Sequence, residues 1–275
     1  MRRVWIYVRA VGRGFRMAFV LAGPAFSHWF TEPKHPTIAW RTAWLQRWCD
    51  RTARAAGVTT RVTGEPARTG VVASNHLSYL DILVLASVSP QVFLAKSDVR
   101  DWPVMGKYAE WAGTQFIDRT RRSDVARQNA EFRHIVENDA VQTIFLEGTS
   151  SGGASVLPFK SSLLEPVVAN GWPVTPAAIV YTCEGGVPSE NVCWWRDMPF
   201  ASHALGLLLL DSITAHVAFG TPVAPGDDRK ALAAVLHREV SALKEGIEAG
   251  LRIGQVSDLP DEADGGSETR PTRLA

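Results

Sequence analysis

Cysteine is scarce in this 275-residue chain. Cys49, Cys183 and Cys193 are an odd number at no metal-like spacing. That argues against a disulfide scaffold or a zinc centre and suits a reducing compartment, with buried free thiols. Net charge is nearly absent as well: 29 lysines and arginines face 28 acids, a formal +1. A global case for nucleic-acid binding is therefore missing. An uninterrupted hydrophobic span is lacking too. The apolar stretch Phe15 to Phe30 contains Arg16, Pro24 and His28. As a helix it would reach ~24 Å, short of a ~30 Å hydrocarbon core, so a simple transmembrane crossing is not expected. Arginines precede it as in a signal peptide, but no convincing small-residue cleavage site follows. There is no internal repeat.

The length suffices for one substantial α/β domain, or for one domain plus a small appendage, and the 46% of apolar residues can bury a normal core. The first 54 residues hold ten arginines and lysines but only two acids, Glu32 and Asp50, and five of the ten tryptophans precede residue 50. A helix is expected from Thr37 to Ala56, with Trp40, Trp44 and Trp48 on one face. That stripe fits either a packed core or the membrane–water interface. The basic flank and the apolar stretch before it favour membrane contact. Residues 1–56 are thus expected to form a basic, tryptophan-rich, helical membrane-contacting segment. Residues 57–252 form the α/β domain, and the polar tail over 253–275 is expected to lack structure.

From Gly70 onward the pattern alternates. Strands are expected at Gly70–Ser74, Gln91–Ala95, Thr114–Asp118, Gln142–Leu146 and Val174–Tyr181. Helices are expected at Tyr79–Val88, Trp102–Trp111, Asp124–Glu137 and Ser161–Ala169, then at His203–Ala218 and Asp228–Leu251. Buried strands alternating with helices predict an α/β fold with a mainly parallel central sheet covered by helices.

Four blocks carry the chemistry. In the first, Asn75-His76-Leu77-Ser78-Tyr79-Leu80-Asp81, a strand ends and a helix begins. Ser78 is the expected N-cap and Asp81 falls at the third helical position, an acidic capping box. The same spacing serves catalysis if His76 lies in the loop and folds back onto the first turn. Asp81 would then hold one ring nitrogen, leaving the other to take a proton from a hydroxyl. The second block, Gly113 to Arg119 with Arg121 and Arg122 beyond, brings guanidinium groups to a strand end. They either hold an anion or form a solvated basic turn. In the third, Phe145-Leu146-Glu147-Gly148-Thr149-Ser150-Ser151-Gly152-Gly153, a strand meets a glycine-rich loop. Backbone amides can approach a polar head there, and Glu147 or Thr149 can bind its hydroxyls. The fourth, Val174 to Ile179, is a strand carrying Pro176.

These blocks, in this order, resemble the glycerolipid acyltransferase family that includes the 1-acylglycerol-3-phosphate acyltransferases. The resemblance spans roughly residues 70–220. It implies transfer of an acyl chain from acyl-CoA or acyl carrier protein to the free hydroxyl of a lyso-lipid, with no cofactor and no metal. It implies His76 as base and Asp81 as its partner, with acceptor binding by Phe116, Arg119, Arg122, Glu147, Gly148 and Thr149. The expected partners are a lyso-lipid, an acyl thioester and a membrane surface, at the cytoplasmic face of the cell membrane. The first acceptor implied is 1-acylglycerol-3-phosphate, giving phosphatidate. Two departures bear on this: Leu146 replaces a proline, and Ser150 stands where phosphatidate-forming members carry arginine. The continuation through Lys160, which can offer a substitute charge, is similar to lyso-ornithine lipid and other lysophospholipid acyltransferases. Two rival readings remain. Gly148-Thr149-Ser150-Ser151-Gly152 fits the nucleophile elbow of a lipid esterase, with Asp197 and His203 as triad candidates. A non-enzymatic lipid-binding protein also suits the N-terminal segment.

Overall fold

The computed structural model describes residues 2–117 and 122–257, with side chains for all of these except 2–7, 122–128 and 254–257. In chain order the elements are α1 (Arg2–Thr31), α2 (Ile38–Ala56), β1 (Val58–Thr63), β2 (Gly70–Ser74), α3 (Leu80–Val88), β3 (Gln91–Lys96) and α4 (Met105–Trp111). They continue with β4 (Gln115–Ile117), α5 (Arg122–Val136), β5 (Val141–Phe145), α6 (Glu165–Asn170), β6 (Val174–Glu184), α7 (Pro188–Asn191), α8 (Phe200–Leu207), β7 (Ser212–Phe219) and α9 (Arg229–Ser257).

The described strands form a seven-stranded sheet in the order β1-β7-β6-β2-β5-β3-β4. Every neighbouring pair is parallel except β6 with β7. The C-terminal ends of β6, β2, β5, β3 and β4 therefore share one edge, the usual place for a site in such sheets. Side chains alternate between two cores. On one face Val72, Ala177, Ile179 and Tyr181 pack with α2 and α3 residues such as Cys49, Leu80 and Val84. On the other, Val71, Ala73 and Ile144 pack with Phe132, Val167 and Leu236 from α5, α6 and α9. Helices on both faces explain why the strands read as continuous apolar runs.

One expected helix is corrected. His203–Ala218 divides into α8 and β7. The run Ser212-Ile213-Thr214-Ala215-His216-Val217 alternates in burial along a strand, and β7 hydrogen-bonds both β1 and β6. Overall apolarity masked the change of period from helix to strand. Strand β1 went unrecognised because its residues are short and half polar (Val-Thr-Thr-Arg-Val-Thr). Helix α9 runs five residues past the expected domain boundary at 252, and residues beyond Ser257 lie outside the described part.

At the N-terminus the α2 tryptophans face protein. Trp44 is buried and stacks beside Trp40, while His28 of α1 stacks on Trp111 of α4 with ring centroids 4.0 Å apart. The Trp48 ring lies so close to Gly23 that a Cβ there would sit 2.4 Å from it, which is why α1 carries glycine at this crossing. Two of the N-terminal arginines are also structural: Arg9 pairs with Asp211, and Arg13 donates to the carbonyls of Leu210 and Asp211. The exposed apolar stripe is on α1, at Val8, Val11, Phe15, Phe19, Phe26 and Trp29. That spacing is one helical face. Among the described residues no helix is long and apolar enough to cross a membrane.

Candidate active site

The strand-to-helix turn after β2 is stitched into place on all sides. Asn75, buried, donates from Nδ2 to the Ile179 carbonyl at 3.0 Å and accepts from the Ile179 amide at 2.8 Å. It thereby extends the β2–β6 ladder with a side chain. The His76 carbonyl accepts from the Ser151 amide at 2.9 Å, and its amide donates to Oε1 of Glu147 at 3.3 Å. The Leu77 carbonyl accepts from the Trp194 amide at 2.8 Å. A turn held by this many partners fixes its side chains with little residual freedom.

His76 folds back as the loop reading requires. Its ring stacks on Phe145 at 4.1 Å between centroids, and Nδ1 lies 2.7 Å from Oδ2 of Asp81. The Asp81 carboxylate is fully buried and the His76 side chain is 21% exposed. Oδ2 also accepts from the amides of Leu77 (2.6 Å) and Ser78 (3.0 Å), and Oδ1 accepts from the Tyr181 hydroxyl (2.8 Å). Nδ1 thus faces a carboxylate, which selects the tautomer with the proton on Nδ1 and leaves Nε2 as the acceptor. This arrangement can take a proton from a hydroxyl and later return it.

The expected cap is corrected. Helix α3 begins at Leu80, its N-cap position Tyr79 makes no side-chain capping bond, and the Ser78 hydroxyl is buried without a hydrogen-bond partner. Asp81 reaches back to the amides itself. The amides nearest Asp81 are those of Leu77 and Ser78, so the aspartate satisfies both helix start and histidine.

Glu147 lies inside, behind this turn, at 2% exposure. Burial pushes its carboxyl up to about 8, and nearby Asp81 adds to the rise against the pull of the His76 and Leu157 amides. Oε2 has no hydrogen-bond partner among the described residues. Gly148 follows at φ +69°, a left-handed turn that glycine adopts without strain, and its amide donates back to the Phe145 carbonyl. Thr149 is exposed on the loop, which closes where the Lys160 amide donates to the Leu146 carbonyl at 2.8 Å. Leu146 is fully buried in the α5–α6–α9 core, and Lys160 is exposed at the loop's neck.

The structure brings His76, Asp81, Glu147 and Gly148 together, and it does not bring Phe116 to them. Phe116 sits on β4, three strands or about 15 Å from β2. It is buried beneath the Arg100 guanidinium and lines a cavity of about 430 Å³ with Thr37, Arg41, Gln115 and His134. Arg119 lies outside the described residues; Arg122 opens α5, with its side chain likewise outside. Sequence reading passed over Tyr181, whose signal was parity: it is in step with Ala177 and Ile179 on the α3 side of β6. It also passed over Lys96, exposed at the C-terminal end of β3 opposite Ile117.

The esterase elbow does not form. No helix starts at Ser150; the next helical turn begins at Ser161, and His203 is engaged through Nδ1 with the Tyr79 hydroxyl at 3.0 Å.

A sequence-family model described as "Acyltransferase" matches residues 58–180. The lyso-ornithine lipid O-acyltransferase of Brucella abortus is 38% identical over 199 residues, 66% of this chain and 74% of that protein. The chain belongs to the acyltransferase family. It is an enzyme, an acyltransferase of lysophospholipid type. The 1-acyl-sn-glycerol-3-phosphate acyltransferase of Neisseria meningitidis is 30% identical, covering 63% of this chain and 68% of that one. Among solved structures, the 1-acyl-sn-glycerophosphate acyltransferase PlsC from Thermotoga maritima aligns with a TM-score of 0.67 at 19% identity, over 90% of this chain and 98% of that one. The likeness to PlsC is one of fold.

Proposed function

We propose that this acyltransferase acylates the free hydroxyl of lyso-ornithine lipid from an acyl thioester, acyl-CoA or acyl carrier protein, at the cytoplasmic face of the cell membrane. The observation that carries the chemistry is the 2.7 Å contact between His76 Nδ1 and the buried Asp81 carboxylate. Nε2 takes the acceptor's hydroxyl proton while the oxygen attacks the thioester carbonyl. The tetrahedral intermediate then expels thiolate, which recovers the proton from the imidazolium. No acyl-enzyme is formed.

The acceptor assignment is supported by the greater identity to the Brucella relative than to the Neisseria one. Ser150 supports it too, offering a hydroxyl where an arginine would meet a free phosphate. In this reading Thr149 and the turn at Gly148 meet the acceptor's polar head, Glu147 braces the His76 turn, and Arg119 and Arg122 meet its carboxylate. Phe116 shapes the wall of β4 behind them. A second reading, 1-acylglycerol-3-phosphate as acceptor, is favoured by the basic residues following β4, which match phosphate equally well.

A panel of lyso-lipid acceptors with both donor classes tests the assignment. Highest turnover on lyso-ornithine lipid is expected, with His76→Ala inactive and Ser150→Ala active. Preference for 1-acylglycerol-3-phosphate would replace the first reading by the second. The α1 stripe is the membrane-contacting face in this proposal. Phe15→Ser with Phe19→Ser should weaken binding to anionic vesicles by up to about a thousandfold, given ~2 kcal/mol per fully buried aromatic ring. Unchanged vesicle binding would remove α1 from the membrane.

A further inference from the structure

We propose that the Tyr181 hydroxyl is a positioning group for acyl transfer, holding Oδ1 of Asp81 so that Oδ2 stays aimed at His76. The inference rests on His76 being the base. Tyr181 rises from β6 on the face covered by α3, in register with Ala177 and Ile179, beneath the first turn of that helix. The two carboxylate oxygens are divided between different partners. Oδ2 serves His76 and the amides of Leu77 and Ser78, whereas the hydrogen bond to Oδ1 comes from Tyr181 at 2.8 Å.

A carboxylate at 0% exposure has no water to fill an empty lone pair. Without the phenol, Oδ1 would be an unsatisfied charged acceptor. The carboxylate would then rotate toward the amides of Leu77 and Ser78, or its charge would concentrate on Oδ2. Rotation misaligns the imidazole, and concentrated charge favours imidazolium over the free base. Either way fewer histidines are poised to accept a proton.

The phenol is suited to constant donation. Burial drives it well above the usual tyrosine range, and Asp81 pushes it further, so it keeps its proton. Among the described residues, the other ionisable groups near the pair are Glu147 from the end of β5, Tyr79 ahead of α3 and Cys193 after α7, with Cys183 of β6 beside Cys193. Burial raises all four, which favours the uncharged form of each. Asp81 and its hydrogen bonds therefore dominate the field at His76.

The experiment compares Tyr181→Phe with the parent enzyme, using the acceptor and donor of highest turnover in the panel above. The expected result is a kcat lower by about tenfold, KM for both substrates within about twofold, and an acidic limb of the pH–rate profile moved up by about half a pH unit. Site-specific 3,5-difluorotyrosine at position 181 has a stronger donor in nearly the same shape. It should move that limb the opposite way, and it decides the matter if the phenylalanine protein does not fold. A tyrosine that merely packs would leave the pH profile of both proteins at the parent's, and that result overturns the proposal. His76→Ala, run alongside, separates the premises. Residual transfer in that variant would sink the base assignment itself. A dead His76→Ala with parental profiles at position 181 would sink only the role of Tyr181.

Discussion

Replacing Glu147 by glutamine turns an unusual charge environment into a measurement. The carboxyl is 2% exposed and its titration is raised from 4.5 to about 8, chiefly by desolvation. Between about pH 4.5 and about 8 the folded protein therefore keeps a proton that the unfolded chain has released. Stability contributed at this position is greatest at low pH and falls as pH climbs through that window. Glutamine is neutral throughout, has nearly the same shape, and still offers an oxygen to the His76 amide. The difference in unfolding free energy, variant minus parent, should grow with pH across the window. Three to four pH units at about 1.4 kcal/mol each set a ceiling of roughly 5 kcal/mol. Urea unfolding followed by tryptophan emission at about pH 5 and about pH 8 reads it directly. Transfer activity at neutral pH should stay near the parent's, because the parent residue is already protonated there. A difference that stays flat between the two pH values would mean that the folded protein carries Glu147 ionised, and the brace would then be a charge.

Asp81→Asn should lower kcat by about a hundredfold or more, because an amide cannot compensate imidazolium charge. Its cost in stability should stay near ~1–2 kcal/mol, since the amide oxygen can still accept from Leu77 and Ser78 while Tyr181 turns to accept. A large fall in stability with activity per folded molecule retained would reduce Asp81 to a helix-start residue. Asn75→Ala should cost roughly 2–4 kcal/mol in chemical denaturation, because it strands both the amide and the carbonyl of Ile179 in the core. A loss below about 1 kcal/mol would show that water or a shifted backbone replaces the side chain.

The sheet and the histidine–aspartate pair were legible because each rests on local pattern. Gly70–Ser74, Gln91–Lys96 and Val141–Phe145 are short apolar runs between turn residues, and the structure places strands there. What stayed hidden depends on contacts far along the chain. Tyr181 matters through a carboxylate 100 residues earlier. The two-way reading of Trp40, Trp44 and Trp48 could not be settled by periodicity, which marks a face without naming what covers it. The covering groups are His28, Gly23 and Trp111. Helix α8 and strand β7 were merged because a run rich in leucine, alanine and valine satisfies both periods. Glu147 read as a group turned toward the acceptor, since burial at the end of a central strand is invisible in the strand's own letters.

The clasp of α1 onto the body has a temporal side. Arg9 and Arg13 are held by Leu210 and Asp211, about two hundred residues downstream, and among the described residues β1 likewise finds its only strand neighbour in β7. During synthesis at roughly 5–20 residues per second, α1 leaves the ribosome some 10–40 seconds before its anchor exists. For that interval its arginines have no folded domain to lie against, and its row of Val11, Phe15, Phe19 and Phe26 is as exposed as in the finished fold. If α1 is the membrane-contacting face proposed above, a nascent chain made beside a bilayer would settle its first helix on lipid and assemble the sheet afterwards, against a helix already in place.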